Sequence, residues 1–122
     1  MTNQQINYTN TLEGLCLWLK TDTREAVDFM KRCIIEDERM DTFDDAKYIW
    51  QQFDMEMEQE YVRLYCGGDG LQGVQGEMKD NKAGWTEVIM LKHWIGSIAA
   101  FELNYPITAQ IQIQLMLKTV KD

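Results

Sequence analysis

Histidine, serine and proline each occur once in this chain of 122 residues, as His93, Ser97 and Pro106. Nucleophilic catalysis is therefore poorly supplied: Ser97 and His93 share one apolar helical stretch, and no second base is available. Cysteine occurs three times, as Cys16, Cys33 and Cys66, dispersed and odd in number. That spacing offers neither a disulfide framework nor a zinc ligand set, and it suits a reducing compartment where thiols pack as small apolar residues. A Cys66–His93 pair assembled by the fold is the one remaining nucleophile arrangement to examine. No catalytic residue, metal site or cofactor is assigned, and the chain reads as a non-enzyme.

Long apolar runs are also missing. The stretches at Leu15–Leu19 and Ile98–Phe101 are far short of a bilayer span. The opening "MTNQQINYTNTL" lacks the basic start and apolar core of a signal peptide. A soluble, cytoplasmic protein without membrane contact is expected.

What the chain does have is a packed-globule composition, 45% hydrophobic with four tryptophans, at a length suited to one domain spanning residues 1–122. The net charge is −8, and it is localised. Residues 36–60 hold ten carboxylates against Arg39 and Lys47, whereas the rest of the chain is balanced. Direct binding to nucleic acid is disfavoured.

The periodicities predict an all-α bundle of about five helices. The first runs over roughly Thr11–Lys20, with Leu12, Leu15, Cys16 and Leu19 on one face. Thr21-Asp22-Thr23 offers caps for a second, from Arg24 to about Glu38, burying Ala26, Val27, Met30, Cys33 and Ile34. Thr42 caps the third, with Asp45 placed for a capping box and a stripe of Phe43, Ala46, Trp50, Phe53, Met57, Tyr61 and Leu64. Gly67 suits a left-handed cap at its end. The fourth covers roughly Trp85–Leu103, with Val88, Leu91, Ile95 and Ile98 along one side. It carries a small pair, Gly96 and Ala100, that permits close approach of another helix. Asn104-Tyr105-Pro106 ends it. The last segment, "ITAQIQIQLMLKTVKD", alternates like a strand from Ile107 to Leu117 but also presents a helical face of Ala109, Ile113, Met116, Leu117 and Val120. Its composition and Pro106 favour helix, with an α+β fold carrying a C-terminal strand as the alternative.

Between the third and fourth helices, residues 67–84 hold six of the eight glycines. Gly68-Asp69-Gly70-Leu71-Gln72-Gly73 formally matches G-x-G-x-x-G. A dinucleotide site would need a strand before it and a helix directly after it. Here a long helix precedes it and more glycines follow, so a flexible connection is the better reading.

The acidic segment breaks local rules. Glu36, Asp37 and Glu38 crowd a helix C-terminus, where the macrodipole opposes negative charge. Asp54/Glu58 and Glu56/Glu60 are like-charged i, i+4 pairs. Arg63 compensates Glu60 and Lys47 compensates Asp44, while Asp54, Glu56 and Glu58 have no basic residue at helical spacing. Local conflicts of this kind concentrate at functional sites. A partner-binding surface of Glu36, Asp37, Glu38, Asp41, Asp44, Asp45, Asp54, Met55, Glu56 and Glu58 is expected, with Met55 as an exposed apolar contact off the core stripe.

Such a surface fits a basic protein surface, above all that of a nucleic-acid-binding complex. Carboxylates at i and i+4 rise about 6 Å along the axis, comparable to two nucleotide steps of a DNA strand. The physical type is that of small DNA-mimicking inhibitors of phages and mobile elements, among them anti-restriction and anti-CRISPR proteins; no family motif is present. The alternatives are an immunity protein or antitoxin, or a helical adaptor or homodimeric scaffold joined through Gly96, Ala100 and the C-terminal segment. Calcium or magnesium binding by "EDERMDTFDD" is weaker, because the ordered ligands and central glycine of an EF-hand loop are absent.

Overall fold

Thr11 opens the first helix by accepting a hydrogen bond on its hydroxyl from the Gly14 amide at 3.0 Å. The computed structural model describes residues 8–67 and 82–121, and within them five helices and no strand. They are α1 (Leu12–Thr21), α2 (Thr23–Glu36), α3 (Phe43–Tyr65), α4 (Lys82–Glu102) and α5 (Pro106–Lys121). The G-x-G-x-x-G stretch lies outside the described residues. Gly67, with φ 74°, takes the left-handed position after α3.

The core forms where the apolar stripes meet. Leu12, Leu15, Trp18 and Leu19 of α1 face Val27 and Met30 of α2, Phe53, Met57 and Tyr61 of α3, and Val88 and Ile95 of α4. Tyr8, Trp18, Tyr61 and Tyr65 form an aromatic cluster that fastens α1 to α3, with ring centroids 4.6–6.3 Å apart. The ends of the expected α3 stripe are not core. Phe43 is 68% exposed and Leu64 is exposed too, while Ile49 and Val62, off the stripe, are buried. Cys33 is half-buried.

The alternating C-terminal segment is helical. Pro106 supplies the first-turn residue, and Asp41, distant in sequence, caps the helix by accepting from the Ile107 and Thr108 amides at 3.0 and 2.7 Å. That cap answers two orphan donors of the first turn. The capping box at Thr42 is half formed. Thr42 accepts from the Asp45 amide at 3.1 Å, but the Asp45 carboxylate accepts from the Met40 amide at 2.6 Å, not from Thr42.

Gly96 is the contact point between α4 and α5. A Cβ there would lie 3.2 Å from the Gln112 side chain. The close approach expected between copies is thus filled inside one chain.

Candidate functional site

Of the ten carboxylates in residues 36–60, six are committed to internal partners. Lys92, with no solvent exposure, reaches from α4 to Asp54 at 2.9 Å and Glu58 at 2.8 Å. This tertiary cation is the partner that no position at helical spacing supplied. It converts the repulsive i, i+4 pair into a bridge between α3 and α4, with the indole of Trp85 5.1 Å from the ammonium. Glu58 is buried at 7% exposure, so it does not belong to an open acidic surface. Glu60 is held by Arg63 in a two-bond fork at 2.8 and 3.0 Å, with Arg32 at 3.9 Å. Glu56 accepts from the Cys33 thiol at 3.4 Å and from Gln52 at 3.3 Å. Asp41 caps α5, and Asp45 binds the Met40 amide with Arg39 at 3.8 Å. The i, i+4 carboxylate ladder expected along α3 is therefore not an open one.

Glu36, Asp37, Glu38 and Asp44 remain. All four are exposed, and none makes an ion pair within the described residues. Lys47 does not pair with Asp44 either. The four surround the corner where α2 turns into α3. That corner is held from below: the Tyr105 hydroxyl donates to the Arg39 carbonyl at 2.6 Å, and Asp41 ties the link to α5.

The turn itself is a Schellman motif. The Arg39 amide donates to the Ile34 carbonyl and the Glu38 amide to the Ile35 carbonyl, both at 3.1 Å. Glu38 occupies the left-handed position, with φ 54°. The same motif at the end of α4 uses Asn104, φ 61°, a residue suited to it. Glu38 has no such aptitude. The second helix was expected to reach Glu38; it stops at Glu36 because this turn intervenes.

Apolar side chains stand among the free carboxylates. Ile35, Met40, Phe43, Tyr48 and Met55 are each 58–68% exposed. Tyr48, Gln51, Gln52 and Met55, at i, i+3, i+4 and i+7 on α3, form one side of an open groove, and Asp37 and Arg39 form the other. Its volume is about 450 Å³. The Arg39 guanidinium lies 4.5 Å from the Tyr48 ring centroid. Met55 was expected here from its position off the core stripe. Tyr48 and Gln51 were legible from the same spacing, as the row opposite Ile49, Phe53 and Met57.

Elsewhere among the described residues, Cys66 and His93 are not brought together. His93 stacks on Trp50 with ring centroids 3.7 Å apart and bonds Gln112 at 2.8 Å. Cys66 lies sixteen positions beyond Trp50, at the far end of α3, about 24 Å away along the axis. Burial pushes all three thiols up, Cys16 to about 11 and Cys33 to about 12, the latter aided by Glu56, which disfavours thiolate at neutral pH. Among the described residues, no three His, Cys, Asp or Glu side chains gather as metal ligands, and no helix is long and apolar enough to cross a membrane. Comparison with family models, with curated proteins and with solved structures returns no match.

Proposed function

We propose that this chain is a small acidic protein-binding inhibitor. Its α2–α3 corner engages a basic surface of a nucleic-acid-binding protein and competes there with nucleic acid, as a DNA mimic of the phage or mobile-element type would. The observation that carries this reading is the set of four exposed carboxylates without counter-ions among the described residues, Glu36, Asp37, Glu38 and Asp44, on a corner anchored by Tyr105 and Asp41. Elsewhere in residues 36–60 each carboxylate has a partner; among the described residues these four have no cationic one.

Two features of the corner support a functional role over simple solvation. Three acids stand at the C-terminal end of a helix, against the dipole, and one of them occupies a backbone conformation it is not suited to. Both choices oppose local stability, and local rules broken together in one place tend to mark functional sites. A held corner also concentrates negative potential without the entropy cost of ordering a loop on binding, and such potential speeds encounter with a cationic surface.

The test is capture from a nucleic-acid-rich lysate under a salt gradient. A nucleic-acid-binding protein should be retained, released by moderate salt and displaced by added duplex DNA. A variant with Glu36→Lys, Asp37→Lys and Glu38→Lys should retain none. Capture that resists both salt and DNA, or that the triple variant preserves, sinks the reading.

A further inference from the structure

We infer that the groove beside this corner receives a cationic amphipathic segment of the partner protein. One large apolar side chain of that segment seats between Tyr48 and Met55, while its lysines or arginines face Asp37 and the neighbouring free carboxylates. The inference rests on the acidic-corner reading and adds a second recognition element to it.

The groove has the chemistry of a side-chain receptacle. Tyr48 and Met55 offer an aromatic face and a thioether, 58% and 64% exposed, one on each side of the Gln51 and Gln52 amides. A thioether adapts its shape to varied apolar partners. Tyr48 is held in orientation by the Arg39 guanidinium against its ring. Among the described residues Arg39 is the one cation lining the groove, and Asp45 at 3.8 Å already balances it. Incoming positive charge therefore meets Asp37 in the wall, with Glu36 and Glu38 beside it in sequence and Asp44 one turn before Tyr48. Nucleic acid is a poor occupant, because its phosphates would face these carboxylates. An uncharged apolar segment would leave them unanswered. A basic segment with an apolar anchor satisfies both, in the manner of a helix laid in a groove.

The closing experiment uses the full chain and two fluorescent synthetic peptides of equal length and charge, one of Lys and Leu and one of Lys and Ser. Anisotropy titrations should show the Lys/Leu peptide binding at least about tenfold tighter, which is about 1.4 kcal/mol. Met55→Ser and Tyr48→Ala should each remove most of that preference and leave the Lys/Ser affinity unchanged. The Met55 methyl resonance should shift on adding the Lys/Leu peptide only. Equal, salt-sensitive affinities for both peptides would overturn the groove and leave the acidic corner standing. Binding of neither peptide would overturn both readings together.

Discussion

Lys92 is the residue on which the acidic half of the molecule turns. Its ammonium is fully buried and held by Glu58, Asp54 and the Asp54 carbonyl at 3.2 Å. Breaking a buried pair from one side leaves the other charge without solvent or partner, at a cost of about 3–5 kcal/mol. Lys92→Met should lower the urea-unfolding free energy by that order. Adding Glu58→Leu should recover most of the loss, because it removes the stranded carboxylate. If the single variant is as stable as the parent, the bridge is not structural. The next residue, His93, gives a separate signature. Burial against Trp50 holds its pKa below the usual 6.5, outweighing the Gln112 bond and Asp54, which favour the charged form. The unfolded chain therefore takes up the proton first as pH falls. The stability contribution is complete above about pH 6.5 and lost below it, with a slope no steeper than about 1.4 kcal/mol per pH unit. Chemical denaturation at pH 7.5 and pH 5.5 should show this decline, and His93→Gln should flatten it, since the chain has no other histidine.

At the scale of the helices, Gly96 decides how closely α4 and α5 pair. A side chain at this position must displace the fully buried Gln112, and with it the bond to His93. Helix propensity returns about 1 kcal/mol on replacing glycine, while overpacking and a lost buried bond take more. Gly96→Leu should destabilise the fold by on the order of 2 kcal/mol without changing the protein's sedimentation mass. A variant that keeps its melting temperature but halves in mass would return Gly96 to an interface between copies. The five helices were legible in the sequence because their stripes, caps and breakers agree: Thr11, Thr42, Gly67 and Asn104 all act where their chemistry suggests. The C-terminal alternation was ambiguous because Ile107–Leu117 satisfies both periods, and the Asp41 cap on its first turn belongs to the helical solution. Partners across the fold were not legible. The unpaired acids of α3 and Lys92 in the apolar middle of α4 each look anomalous alone, and they explain each other only once the helices are placed. Phe43 was misplaced for a related reason: a stripe's period does not say where the neighbouring helix ends.

For the molecule as a whole, net charge identified the acidic region but not its face. The fold spends Asp41, Asp45, Asp54, Glu56, Glu58 and Glu60 internally and leaves Glu36, Asp37, Glu38 and Asp44 at the corner. If that corner is kept for binding, stability and affinity must oppose each other there. Glu38 in the left-handed turn position costs on the order of 1 kcal/mol relative to glycine. Glu36 in the last turn of α2 opposes the helix dipole by ~0.3–1 kcal/mol. Glu38→Gly and Glu36→Gln should therefore each raise the melting temperature, and together they should add on the order of 1–2 kcal/mol. The same two changes should weaken salt-sensitive binding to the Lys/Leu peptide and to any captured basic partner. By contrast, Asp54→Asn should lower stability and leave that binding almost intact, because Asp54 serves Lys92. Calorimetry and peptide titration on the three variants measure both quantities on the same samples. Parallel movement, with the stabilised variants binding as well as the parent, would mean that these carboxylates only keep the protein in solution.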